Sequence, residues 1–396
     1  MPSYASFDHN DPGLTAAAVR DLHNEMRERC PVAHSDQHGG FDILTRYRDV
    51  RQALATAASF SSADGVFIPP SGTAKVPALE FDDPEHAAWR AVMGPPLTIR
   101  AVRALEDTIR QVTDSLIDGF ASRGDADLVS ELAEPLPSII VGRMVGLDAE
   151  RSLAAREVAA RLFASIGRPD FAVRYADFAA FVEAQLAERR ERPNGDFLTQ
   201  VASGAVDGVP VDADGATGLM VAYLLGGHHS TGSGIAGLLH HILTEPGLKA
   251  RLAADPGLMP GAVEESLRLN TPLQYFARTA RADTEVAGEC IAAGRRVMLD
   301  LAGANRDPRV FGRPDDFDLD RPRNPHVAFG GGAHICQGQH LARAEMRIAA
   351  GRVLERLPGI RLAGPAEEVF VGGKLITFAT LPVVFTPQSG ESARST

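Results

Sequence analysis

Cysteine is scarce: Cys30, Cys290 and Cys336 are the only three in 396 residues. An odd, sparse count excludes a disulfide scaffold and fits a reducing compartment. Positive charge is also in deficit. Lys and Arg number 40 against 51 Asp and Glu, a formal net charge of −11. That argues against a general nucleic-acid binder, which would carry a basic face. Long apolar runs are missing. The strongest, near 219–225 and 235–243, are separated by histidines and glycines, and neither reaches the ~18–20 residues a bilayer needs. Residues 1–11 carry Asp8 and Asp11 and no apolar h-region, so no signal peptide is expected. Repeats, low-complexity blocks and clear linkers are absent. The balance of 44% hydrophobic and 23% charged residues is that of a soluble globular chain. A cytoplasmic protein without a membrane anchor is expected.

The apolar spacing predicts mostly helix. Helices are expected over 14–29, 49–58, 85–93, 102–121, 128–145, 149–165, 171–190, 260–269 and 339–357. Short strands are expected at 41–44, 285–286 and 296–299, with a strand pair over 375–385. Residues 61–79 hold three prolines and two glycines and read as a long loop, a common site of function. A single helix is expected over 213–244, about 45 Å long at 1.5 Å per residue. It carries Gly226, Gly227, Gly232 and Gly234 in nine residues. Each glycine costs about 1 kcal/mol in a helix, so close approach to something, or a local bulge, is implied. The fold class is mainly α with a small β region, in one domain over 1–396. Its core spans about 14–386, and 387–396 form a polar tail.

The sharpest local signal is Phe329-Gly330-Gly331-Gly332-Ala333-His334-Ile335-Cys336-Gln337-Gly338. A lone cysteine stands among glycines just before a helix. A helix N-terminus and successive backbone N–H groups stabilise a thiolate. The glycines let backbone pass close to a flat, bulky object. A buried, inert cysteine beside a tight turn is the bland alternative.

The pattern resembles the haem-binding signature of the cytochrome P450 superfamily, and the chain is similar to its soluble bacterial members. Other segments match in order: Glu265-Ser266-Leu267-Arg268, Phe317-Asp318-Leu319-Asp320-Arg321, Asp83-Pro84-Glu85-His86 with Arg90, and Asn305-Arg306-Asp307-Pro308. The resemblance covers about 49–385. It implies haem b (heme b, iron protoporphyrin IX) with Cys336 as axial thiolate, a ligand that favours O–O cleavage. Backbone N–H groups after Cys336 would moderate its charge. His86 and Arg90 share a helix face at i, i+4 and, with Arg278, His334 and Gly338, are implied cofactor contacts. Glu265, Arg268 and Arg321 are expected to form a buried structural network.

The implied activity is monooxygenation of a small, largely apolar organic substrate by O2. No flavin-type or ferredoxin-type segment follows residue 385, so ferredoxin and an NAD(P)H-dependent ferredoxin reductase are the expected electron donors. Arg343 and Arg347 would give them a basic docking face. On the distal helix the family usually shows an acid followed by threonine. Here His229 and Ser230 stand in those places. Ser230 keeps a hydroxyl, and His229 offers a proton relay near neutral pH. That pair also leaves open a hydrogen-peroxide-dependent peroxygenase and, more remotely, a non-catalytic haem sensor or ligand carrier. A histidine metal site is disfavoured, since no His-x-x-x-His or Cys-x-x-Cys pairing accompanies His228, His229, His240 and His241. By resemblance the substrate walls are Phe67, Ile68, Phe163, Ile166, Ala222, Leu225, Gly226, Leu273, Gln274, Leu375 and Ile376.

Overall fold

The computed structural model describes residues 4–388 except Gly72. Its longer helices are α1 (Ala16–Arg29), α2 (Tyr47–Ala55), α3 (Glu85–Met93), α4 (Ile99–Asp118), α5 (Pro135–Val145), α6 (Ala149–Ser165), α7 (Phe171–Glu191), α8 (Ala213–Met220), α9 (His229–Thr244), α10 (Met259–Leu269) and α11 (Gln339–Arg356). Side chains start several of them. Thr15 accepts from the Ala18 N–H, Thr98 from Ala101 and Asp148 from Arg151, each satisfying a donor the first turn would leave free. Helix α5 is apolar on nearly every face and buried along nearly its whole length, as a central helix must be. Helices α4 and α11 pack on one another beside it.

The small β region is a five-stranded main sheet, a three-stranded sheet and three two-stranded pairs among the described residues. Strands β1 (Val32–Ser35), β2 (Phe41–Leu44), β3 (Phe60–Ser61), β4 (Tyr275–Ala280) and β5 (Arg296–Asp300) lie in the order β1-β2-β5-β4-β3. Only β5 and β2 run parallel, with Arg296 opposite Phe41. A separate antiparallel hairpin joins β6 (Glu367–Val371) to β7 (Leu375–Thr380). No described helix is long and apolar enough to cross a membrane.

Three expectations need correction. The helix expected over 213–244 is divided: α8 runs into a π-turn over Val221–Leu225, the chain breaks at 226–228, and α9 follows. Space at the break admits only glycine. A Cβ on Gly227 would stand 2.8 Å from Val141 Cγ2 of α5 and 2.6 Å from the Tyr223 oxygen. The core begins earlier than residue 14, because Tyr4, Phe7 and His9 are already buried. It also ends later than 386. The Gln388 N–H bonds the Ala121 oxygen at 2.9 Å, and its side chain bonds Arg356. The rest of the expected tail, 389–396, lies outside the described residues.

Candidate functional site

The glycine loop before α11 is shaped by close approach. Gly332 has φ +63°, and a Cβ there would sit 2.2 Å from the Leu54 oxygen at the end of α2, so only glycine fits. Two backbone bonds close the loop: Gly330 N–H to the Val327 oxygen at 2.8 Å, and Cys336 N–H to the Phe329 oxygen at 2.9 Å. Cys336 is a free, exposed cysteine at the end of this loop. Burial pushes the thiol pKa up. The N–H groups of Gly338 and Gln339 and the charges of Arg90 and Arg343 pull against it. Cys30 and Cys290 are free as well and have no such setting.

Basic groups gather beside this loop. The rings of His86 and His334 lie 4.1 Å apart between centres. His86 Nδ1 bonds Asp83 at 3.1 Å, while its buried Nε2 has no partner, and neither has His334 Nδ1. Arg278 is buried, gives Nη1 to the Ala277 oxygen at 2.8 Å, and forms no ion pair among the described residues. Burial, then the nearby Arg296, pulls its pKa down to about 10. Burial, Arg278 and His86 together pull His334 down to about 4. Arg90 reaches from α3 to the Ile335 oxygen at 2.8 Å, and Gln337 Nε2 returns a bond to the Arg90 oxygen at 2.9 Å. Two arginines and two histidine rings with orphaned nitrogens, His86 being held on its other nitrogen by Asp83, offer an anion partners.

Behind the loop, Glu265 of α10 accepts from Arg268 at 2.7 and 2.9 Å, from Arg321 at 3.1 Å and from Asn324 at 3.0 Å. The Glu265 and Arg268 side chains are 1% and 0% exposed. Arg268 also binds the oxygens of Asn305, Pro314 and Asp316, so one arginine gathers the irregular stretch that leads to the cysteine loop.

Above, at the break between α8 and α9, Ser230 Oγ donates to the Gly226 oxygen at 3.2 Å. His229 stacks on Phe163 at 5.1 Å and on His228 at 3.6 Å between ring centres. Its Nδ1 is buried without a partner. Burial first, then His228, holds its pKa well below the usual histidine value. His228 Nδ1 meets the Leu224 oxygen at 2.7 Å, and burial holds that ring at about 4.

The family model for cytochrome P450 matches residues 257–358. The chain is 34% identical over 384 residues to a steroid C26-monooxygenase of Mycobacterium tuberculosis (strain ATCC 25618 / H37Rv), covering 93% of this chain and 94% of the relative. The chain belongs to the cytochrome P450 family. A nocardicin C N-oxygenase of Nocardia uniformis subsp. tsuyamanensis is 35% identical, over 83% of this P450 and 84% of that chain. The crystal structure of CYP108D1 from Novosphingobium aromaticivorans DSM12444 superposes with a TM-score of 0.85 at 28% identity, over 98% of this P450 and 100% of that chain. As a P450 it is a monooxygenase, an oxidoreductase whose cofactor is haem b bound through a cysteine thiolate. The residues present fit that group: an exposed cysteine among glycines, with Arg90, Arg278 and the orphaned nitrogens of His86 and His334 beside it to receive propionates.

The P450 brings six of the expected wall residues into one apolar cluster: Phe67, Phe163, Ile166, Leu225, Leu273 and Leu375. Phe171 and Val371 join them and were not singled out, since neither belongs to a motif. Gly226 is exposed at the helix break, and Ala222 packs on the main core. Three other expected wall residues lie outside this cluster. Ile68 is 1% exposed and packs with Tyr4, Phe7 and Tyr275. Gln274 and Ile376 line a small cavity with Arg20, His23 and Asn24 of α1. Extended backbone explains this: neighbouring side chains point to opposite sides, so Leu273 and Leu375 join the cluster while the residues after them turn away. Sequence adjacency had grouped each pair on one wall.

Proposed function

We propose that Cys336 is the thiolate that holds haem b in this P450, and that His86, Arg90, Arg278 and His334 receive its propionates. Gly338 leaves room beside the sulfur, where a Cβ would stand 3.8 Å from Sγ. The observation that carries the reading is the placing of the cysteine loop beside Arg90, Arg278 and two histidine rings that each have a buried nitrogen without a partner. Thiolate-bound haem supplies the activation of O2 that puts one oxygen atom into an organic substrate and releases the other as water. Electrons then come from a separate ferredoxin and its reductase, as expected for the bacterial relatives. The Phe67–Leu375 cluster forms the substrate wall, with few polar handles, and selects a small, largely apolar molecule. Among the relatives, one is named for a steroid and another is named pentalenic acid synthase, both names consistent with such a pocket. Ser230 holds a hydroxyl proton at the break between α8 and α9. Burial keeps His229 unprotonated, so it is not a charged relay at neutral pH. Three unpaired cysteines fit the cytoplasm.

The reduced carbon monoxide complex tests the ligand. Wild type, Cys30→Ser and Cys290→Ser should show the long-wavelength Soret band of a thiolate-ligated haem, and Cys336→Ser should lose it. A band that survives in Cys336→Ser refutes the assignment. The substrate class is checked with a panel of small apolar molecules, scored by the shift of the haem from low to high spin. Charged, polar molecules that shift it better than apolar ones would refute that class.

A further inference from the structure

Lys374 lies in the turn between β6 and β7 and has 0% of its surface exposed. Its Nζ donates to three oxygens: Gly372 O at 2.5 Å, Ile166 O at 3.2 Å and Asn10 Oδ1 at 3.2 Å. It also stands 5.5 Å from the centre of the Phe67 ring. No carboxylate lies within ion-pair distance of it among the described residues. Burial, then Arg168, pulls its pKa down to about 7, with Asp8 opposing. An unpaired buried lysine is costly, so four separate partners at one Nζ demand a reason.

Asn10 completes the link from the N-terminal segment. Its Nδ2 donates to the Ile68 oxygen at 3.2 Å, and His9 Nε2 donates to the same oxygen at 2.7 Å. His38 bonds Asp8 at 2.7 Å and holds that segment from outside. The fit is tight. A Cβ on Gly373, at φ +71°, would stand 2.5 Å from both the His9 oxygen and Asn10 Oδ1. A Cβ on Gly167 would stand 3.3 Å from Asn10 Nδ2 and from Pro69. Asp8, His9 and His38 are close enough to share a cation. Their hydrogen bonds already use His9 Nε2 and His38 Nε2, however, and the Lys374 charge is a neighbour. The grouping is therefore a fastening, not a metal site.

Four stretches thus meet at two side chains: 8–10, 66–70, 166–167 and 372–374. Three of them carry or adjoin walls of the apolar cluster, through Phe67, Ile166 and Leu375. We propose that Asn10 and Lys374 are positioning residues that clasp the outer rim of the substrate pocket, so that ligands enter and leave when this link opens. The proposal rests on the reading of that cluster as the substrate wall.

The haem-loaded protein is mixed with 4-phenylimidazole by stopped flow and followed by its Soret shift. Asn10→Ala and Lys374→Met should each raise both association and dissociation rates about tenfold, the scale of one lost hydrogen bond to a charged group. The dissociation constant should change far less. The double variant should be no faster than the faster single one, because both remove the same link. The carbon monoxide band is recorded for every variant. Unchanged rates with the band intact overturn the clasp and leave the haem assignment standing. Absence of the band in wild type overturns the haem assignment instead. Native-state hydrogen exchange of the wild type then judges the clasp by itself, and does so equally if a variant fails to fold. Amides in all four stretches should exchange through one shared opening. Separate, unrelated openings would overturn the proposal.

Discussion

His229 stands where the family usually shows an acid, and its surroundings limit what it can do. Its ring is sandwiched by Phe163 and His228, and burial holds its pKa well below the usual histidine value. A group already neutral in the folded protein does not change charge as pH passes through 6–8. Coupling of NAD(P)H oxidation to product should therefore show no inflection near pH 6.5 that disappears in His229→Phe, a change that keeps the ring packing. Ser230 is different, with a hydroxyl whose only fixed partner is the Gly226 oxygen. Ser230→Ala should raise hydrogen peroxide released per NAD(P)H several-fold, with haem content unchanged. Peroxide yield measured against product decides both points. Equal coupling in Ser230→Ala and the parent would remove the serine from proton handling.

At the scale of elements, Glu265 is the central tie between α10 and the irregular 305–326 stretch. Glu265 is held below the ordinary carboxylate range despite burial, because Arg268, the Asp318 N–H and Arg321 all favour its charged form. Removing one member of a buried pair leaves the other uncompensated, at a cost of about 3–5 kcal/mol. Glu265→Gln should lose stability on that scale in urea unfolding. It should lose haem retention too, since the same stretch leads into the cysteine loop. Exposed Arg110 and Asp107 on α4 are a control: Arg110→Ala should change little. A Glu265→Gln protein as stable as the parent would sink the structural role. The neighbouring elements also show where periodicity fails. The helix expected through 213–244 divides at the start of the glycine- and histidine-rich 226–234 stretch, where Gly227 closely approaches Val141.

For the whole molecule the open question is how the electron donor finds the cysteine side. A groove of about 190 Å³ lies between α4, α10 and α11, lined by Ile99, Arg103, Glu106, Glu264, Arg343 and Arg347 among others. Arg343 and Arg347 do not form the free basic patch expected from their spacing. Arg343 holds Glu264 at 2.6 and 2.9 Å, and Arg347 holds Glu106 at 2.8 Å. Exposed Arg103 has no such partner among the described residues. Association with an acidic ferredoxin should therefore fall only weakly with salt. Glu264→Gln should speed it at low salt by freeing Arg343, and a rate that does not rise would remove this groove as the docking face. The same pair sets an acid limit. Burial raises the Glu264 pKa, but bonds from His326 and Arg343 outweigh it and hold the group down to about 2. Its stabilisation is complete above the unfolded value near 4.5 and is lost as pH falls from there towards 2. Urea midpoints at pH 5 and pH 3 should differ more for wild type than for Glu264→Gln.

What the sequence by itself determined is what neighbours along the chain decide. The strand at 41–44 and the helices at 85–93 and 149–165 appear where spacing and caps put them. The cysteine loop before α11 is shaped by Gly330 and Gly332, both at positive φ. The family was legible from that loop and its companion segments. What only the tertiary structure decided is what distant residues do to one another. It set Ile68, Gln274 and Ile376 outside the apolar cluster, paired Arg343 with Glu264, neutralised His229, and tied Asn10 to Lys374 across 364 residues. The physical reason is range. Backbone conformation and capping act over a turn or two, whereas burial, charge pairing and side-chain direction depend on which surfaces the fold presses together.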